Sequence, residues 1–234
     1  EPDPQPIHLQ GYRPDRRPSE DEITKAVEMI SKARRPVILA GAGILRSGAI
    51  EELRQFAEIT QTPVGLTLMG IGALPSSHPL HLGYMGMHGE AWVNKAIQQS
   101  DLVLAFGMRF SDRVTGNQKT FAKNAQKIHI DIDITELNKN VKVDLALSGD
   151  MKTTLKRILP YLKQLNHQDW LEEIDEIAAD SRKRDIQSKN NVSSLLAAHV
   201  INDLWKYTDG NALICTDVGQ HQMWTALYYK VMHP

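Results

Sequence analysis

Five short runs of strand-forming residues, separated by stretches of helical periodicity, constrain this chain more than any other feature. They are Val37–Ala40, Pro63–Leu66, Leu102–Phe106, Lys127–Ile132 and Asp144–Leu147. Runs of four to six residues are too short for helices of the core. Little in the first three alternates between apolar and polar, so they read as strands buried on both faces. Strands that alternate with helices form right-handed βαβ units on a parallel sheet covered from both sides. The predicted fold class is therefore α/β, a doubly wound parallel sheet.

The helical stretches carry their own signals. Ser19 and Glu22 have capping-box spacing, and Ile23, Ala26, Val27 and Ile30 then share one helical face. Arg35-Pro36 ends that helix. Ser47 reads as the cap of a second helix with the stripe Ile50, Leu53, Phe56 and Ala57. Glu90–Gln99 reads as a third helix, and Met151–Leu165 is amphipathic.

This pattern assigns residues 19–165 to one domain. Residues 1–18 form a leader punctuated by Pro2, Pro4, Pro6, Pro14 and Pro18. Its basic residues Arg13, Arg16 and Arg17 read as a solvated linker. Asp169–Asp185 is charged and helical and Gln187–Asn191 is polar, so 166–192 reads as a connector. From Ser193 a new unit begins, with helix Leu195–Trp205, strand Ala212–Thr216 and a helix from about Gly219. A unit of about forty residues is near the size below which domains rarely fold unaided. Residues 193–234 therefore read as the incomplete start of a second α/β domain. The chain starts at Glu1 rather than Met and stops just after a helical pattern, so both ends read as cut from something longer.

Composition removes several function classes. The formal net charge is -1, which points to neither nucleic acid nor an anionic membrane as partner. No apolar stretch is long enough to span a bilayer, and no signal-peptide pattern opens the chain. The single cysteine, Cys215, lies in the apolar run Ala212–Cys215 and reads as a buried, reduced thiol.

In an open parallel sheet, ligands bind beyond the carboxyl ends of the strands, and four loops there carry unusual chemistry. Gly41-Ala42-Gly43 could approach a ligand closely, or could be a plain strand-to-helix turn. Thr67-Leu68-Met69-Gly70 could be an apolar shelf for a flat ring, or core. Leu82–Gly89, with Gly86, Met87 and His88, reads as an irregular loop forming a ligand wall. No second histidine or carboxylate stands at metal spacing from His88, so no metal site is assigned. Gly107–Gly116 places Arg109 and Arg113 four residues apart, with Ser111 and Asp112 between them. Guanidinium groups suit a diphosphate, although a surface ion pair would use the same residues. Asp131 and Asp133 then close a strand, where a carboxylate can accept from ribose hydroxyls. Together the loops describe a groove for a dinucleotide, and the residues alone leave FAD and NAD both open.

The motifs resemble a known family. Arg109–Gly116 resembles the RFDDRVTG signature of acetolactate synthase (acetohydroxyacid synthase) large subunits, which are thiamine-diphosphate enzymes. Thr67–Gly70 is similar to the family's TLMG, Gly86–Gly89 to its GMHG, Ile128–Asp133 to its IHIDID, and Val218–Trp224 to its VGQHQMW. These matches fall in family order along almost the whole chain.

The resemblance implies a Rossmann-like central FAD domain at 19–165 and the start of the thiamine-diphosphate domain from 193. It carries FAD contacts onto Gly41, Ala42, Gly43, Thr67, Leu68, Met69, Gly86, Met87, His88, Gly107, Arg109, Ser111, Arg113, Asp131, Ile132, Asp150 and Met151. It carries thiamine-diphosphate contacts onto Val218, Gly219, Gln220 and His221. Ser111 stands where the family pattern has Asp, which implies altered rather than abolished FAD affinity. The implied reaction condenses pyruvate with a second 2-keto acid, releasing CO2, in branched-chain amino-acid biosynthesis. FAD has a structural part in it. The family's essential Glu and its Mg2+-binding motif lie outside this sequence, so no catalytic or metal residue is assigned and the segment alone is expected to be inactive. The resemblance further implies a homodimer or tetramer, a regulatory small subunit as partner, and a bacterial cytoplasmic or plastid location. A redox-active relative such as pyruvate oxidase and a non-catalytic nucleotide-binding module are the alternatives.

Overall fold

The computed structural model describes residues 16–183 and 195–232. Its centre is a six-stranded sheet made of β1 (Pro36–Ala40), β2 (Val64–Leu66), β3 (His81–Tyr84), β4 (Leu102–Phe106), β5 (Gln126–Asp131) and β6 (Leu145–Ser148). The order is β3-β2-β1-β4-β5-β6, and every neighbouring pair is parallel. This is the doubly wound arrangement expected above. The chain reverses its direction of winding between β1 and β4, the position where such sheets open a crevice.

Period-two alternation divides the strands between two helical layers. Ile38, Ala40, Leu104 and Phe106 face one cluster, which α1 (Glu20–Lys32), α3 (Ile50–Thr60) and α6 (Met151–Ile158) complete. Phe56 of α3 meets Phe106 edge to face, with ring centroids 5.2 Å apart. Val37, Leu39, Val103 and Ala105 face the other cluster, under α4 (Ala91–Gln99) and α7 (Gln168–Lys183). The capping box of α1 forms as its spacing predicts: Ser19 Oγ accepts from the Glu22 amide, and the Ser19 amide donates to the Glu22 carboxylate at 2.7 Å.

Several expectations change. His81–Tyr84 is a strand, although Leu82–Gly89 read as loop. Ala42–Arg46 forms a short helix, α2, that the periodicity did not suggest. Ser47 closes α2 and does not open α3: its hydroxyl donates back to the Gly43 carbonyl at 2.7 Å, and Ala49 is the residue before α3. The amphipathic stretch from Met151 is α-helical only to Ile158, and Pro160 sits in the tighter turn that follows.

The charged helix after residue 166 is a layer of the fold. His167 lies between the carbonyls of Thr60 (2.8 Å) and Ala33 (3.1 Å). In α7 the buried residues Trp170, Ile174 and Ala178 recur every four residues, and Trp170 Nε1 donates to the Pro36 carbonyl at 3.0 Å. Gln187–Asn191, Ser193 and Arg13 lie outside the described residues. In the leader, Arg157 pairs with the Pro18 carbonyl and the Glu20 carboxylate.

Beyond residue 195, α8 (Ala197–Thr208) and α9 (Gln220–Tyr228) form, but Ala212–Thr216 pairs with no strand among the described residues. Cys215 is accordingly exposed, not buried as its apolar neighbours suggest. A strand needs a partner for its amides and carbonyls, and apolar composition alone cannot supply one. α9 rests on the sheet domain through Met223, whose sulfur accepts from Tyr84 Oη at 3.5 Å.

Candidate functional site

The carboxyl ends of β1, β2, β4 and β5 open onto a cavity of about 670 Å³ that lies across the switch in winding. Its floor is built by loops that continue the sheet's hydrogen bonding past the strands. The Gly41 amide donates to Phe106, Gly43 to Gly107, Gly107 to Ile130, Thr67 to Ala40 and Gly149 to Asp131, all at 2.9–3.0 Å. The glycines make this contact possible. A Cβ on Gly43 would stand 2.5 Å from Gly107 Cα, and one on Gly70 would stand 2.2 Å from the Ala40 carbonyl oxygen. Their role is thus close approach of loop to loop. The amides of Gly41, Gly43 and Gly107 are bonded to protein carbonyls.

The walls differ in character. On one side Arg109 and Arg113 flank Ser111, which precedes the single-turn helix α5 (Asp112–Thr115). Arg113 is largely exposed. Its nearest carboxylate is that of Asp112, at 3.8 Å, a solvated pair that contributes little. On the other side Asp131 ends β5. Burial pushes its carboxyl above the usual aspartate value, partly offset by the hydrogen bond it accepts from the Asp133 amide at 2.8 Å. Asp133 itself is held below the usual value by the hydroxyl and amide of Thr135. Between the walls, Met69 (63% exposed) and Ile132 (66%) present apolar side chains to the cavity. At the far end Asp150 caps α6, accepting from the Thr153 amide at 2.9 Å.

Ala42, Gly43, Thr67, Leu68, Met69, Gly107, Arg109, Ser111, Arg113, Asp131, Ile132, Asp150 and Met151, all singled out in the sequence, line this one cavity. Gly41 lies in its floor. Gly86, Met87 and His88 stand beside it, in a turn whose Met87 amide donates to the Arg113 carbonyl at 2.8 Å. Val218, Gly219, Gln220 and His221 do not line it; they form the approach to α9 and its first turn, with Val218 exposed. Arg46, Met108, Val114 and Glu136 line the cavity and escaped sequence reasoning. Arg46 follows Gly43 by three residues and reaches the cavity only because 42–46 is helical, which so short a segment does not signal in its sequence. Among the described residues, no helix is long and apolar enough to cross a membrane.

The family model for the central domain of thiamine pyrophosphate enzymes matches residues 23–158. The chain belongs to the thiamine pyrophosphate enzyme family. The match runs from the first turn of α1 to the end of α6, so every residue lining the cavity falls within this family's central domain. Curated relatives are similar over nearly the whole chain. It is 41% identical to the probable acetolactate synthase large subunit of Methanococcus aeolicus, over 100% of this chain and 41% of the relative. It is 41% identical to the acetolactate synthase large subunit of Corynebacterium glutamicum, over 99% of this chain and 37% of the relative. It is 40% identical to the chloroplastic acetolactate synthase 1 of Nicotiana tabacum, over 98% of this chain and 35% of the relative. The chain spans about two-fifths of the length of these family members.

Proposed function

We propose that this chain is the central part of an acetolactate synthase large subunit, and that its cavity holds FAD. The observation that carries the reading is one cavity across the sheet's switch point with two guanidinium groups on one wall and a desolvated aspartate on the other. Arg109 and Arg113 would take the pyrophosphate, and Asp131 a ribose hydroxyl. Exposed methionine and isoleucine offer apolar surface to the face of a flat ring, and the polarizable thioether adds favourable contact with an aromatic system. The donor set therefore fits the cofactor.

Bound FAD would serve as a structural element, and thiamine diphosphate would supply the carbanion chemistry that joins two 2-keto acids with loss of CO2. The protein's part is to bind and orient. Val218, Gly219, Gln220 and His221 are proposed to touch the thiamine cofactor, with Mg2+ held by residues outside this chain. The reading extends to domain limits: residues 19–165 as the FAD domain, with α7 packed on it, and 193 onward as the start of the thiamine-diphosphate domain. A dimer or tetramer, a regulatory small subunit, and a bacterial cytoplasmic or plastid setting belong to the same proposal.

The test has two arms. Titration of the purified chain with FAD should give saturable quenching of flavin fluorescence that NAD does not displace. Product analysis of the whole enzyme with pyruvate should give acetolactate, whereas the 234-residue chain alone should give none. Absence of flavin binding, or acetyl phosphate as the product, would overturn the reading.

A further inference from the structure

The loop that carries the two arginines is too short to hold itself. α5 is a single turn, and a single turn has no helical stability of its own. Its place is set by hydrogen bonds that other elements donate to its carbonyls. His129 Nε2 donates to Met108 at 2.8 Å, Asn140 Nδ2 to Phe110 at 2.9 Å, and the Met87 amide to Arg113 at 2.8 Å. The last donor belongs to a turn beside the sheet's edge strand, so something must fix that turn.

Asn94 does so. Its Oδ1 accepts from the Gly86 amide at 3.0 Å, and its Nδ2 donates to the Gly86 carbonyl at 2.8 Å. One side-chain amide thus takes both backbone groups of one residue, as a neighbouring strand would. Gly86 adopts φ +107°, a region that favours glycine, and a Cβ there would stand 2.6 Å from the Arg113 carbonyl oxygen. The base of the turn is closed by Tyr84 and Glu90, each amide donating to the other residue (3.1 and 2.9 Å). Asn94 itself is not among the residues lining the cavity.

We infer that Asn94 is a positioning residue for the cavity: through Gly86 and Met87 it holds the backbone of Arg113, and so sets where that guanidinium meets an anionic ligand. The link to FAD rests on the function proposed above; the strap from α4 to α5 does not.

The experiment combines a double-mutant cycle with amide hydrogen exchange. Asn94→Ala should weaken FAD binding roughly tenfold, the scale of one lost hydrogen bond to a charged partner. Arg113→Gln should weaken it at least as much. The double variant should bind no more weakly than Arg113→Gln, because both changes remove one interaction. Exchange at the Met87 amide should accelerate in Asn94→Ala while α1 and α6 keep their protection. Asn94→Leu, which keeps the side-chain volume, adds no charge and loses both hydrogen bonds to Gly86, provides the same comparison should the alanine variant not fold. Fold losses that multiply in the double variant would overturn the inference, as would wild-type affinity in Asn94→Ala. If the unmodified chain binds no FAD, the flavin reading fails, and exchange at Met87 still decides the strap: unchanged protection there overturns it.

Discussion

The imidazole of His129 is fully buried and donates from Nε2 to the carbonyl of Met108 at 2.8 Å, tying β5 to the loop that carries Arg109. Its other nitrogen is buried without a partner among the described residues, and the Asp131 carboxylate stands 3.9 Å from Nε2. Burial is the main cause that holds this imidazole below the usual histidine value of 6.5, so the folded chain keeps it neutral. The unfolded chain takes up a proton as pH falls through 6.5, whereas the folded chain does so only at lower pH. The stability this group contributes is therefore complete above 6.5 and is lost as pH falls below it. Burial acts on His81 in the same direction. The raised carboxyl of Asp131 works with the opposite sign and offsets part of the loss on further acidification. In His129→Gln, whose amide can still donate to Met108, urea midpoints should fall less between neutral pH and about pH 5.5 than in the unmodified chain. Parallel profiles would remove His129 as a source of the acid sensitivity.

Gly107 and Gly116 both have positive φ, +56° and +58°, but not the same surroundings. A Cβ on Gly107 would stand 2.6 Å from Gly43 Cα, whereas one on Gly116 meets nothing within 4 Å among the described residues. Gly116, at φ +58° and ψ -117°, lies outside the left-handed helical region, so Gly116→Ala should cost about 1–3 kcal/mol from conformation alone. Gly107→Ala adds a collision between two backbones, so its total should reach about 3 kcal/mol or more. Equal midpoint shifts in chemical denaturation would show that the floor of the cavity yields more easily than its geometry implies.

The five strand runs were legible from their strand-forming residues, most plainly in the first three, where a strand buried on both faces leaves a run of apolar side chains, and each boundary moved by only about a residue. β3 was not legible. Its four residues include His81 and Gly83, and its place at the sheet edge is fixed by pairing with β2 and by the Glu90 carboxylate on the Tyr84 amide. α2 spans five residues, too few for periodicity to show. The cavity residues could be gathered because a parallel sheet brings its strand ends to one edge. Asn94 could not, since it acts through two hydrogen bonds to a loop eight residues earlier. The exposed stretch around Cys215 shows the opposite limit: its composition favours a strand, but pairing depends on a neighbour.

Trp170 tests whether α7 belongs to the domain energetically. It is 2% exposed, donates to the Pro36 carbonyl at 3.0 Å, and has the Arg35 guanidinium 5.5 Å from its ring centre. Trp170→Phe keeps most of the apolar volume but leaves that carbonyl unpaired, which should cost about 1–3 kcal/mol. Trp170→Ala adds a large void and should cost about 3–5 kcal/mol. A loss under about 1 kcal/mol in the alanine variant would mean that α7 is peripheral.

Arg109 and Arg113 should act on ligand binding and hardly at all on folding. Arg113 is largely exposed, and its nearest carboxylate belongs to the adjacent residue, so little stability depends on its charge. Arg109→Gln and Arg113→Gln should therefore unfold near the unmodified chain's midpoint while each weakens FAD binding about tenfold or more. Because both groups would face an anion at the mouth of an open cavity, FAD affinity in the unmodified chain should fall as salt rises, since screening acts within about 10 Å at 0.1 M. Each glutamine variant should flatten that dependence. Full FAD affinity in both variants, with the salt dependence unchanged, would show that neither guanidinium meets the cofactor's pyrophosphate.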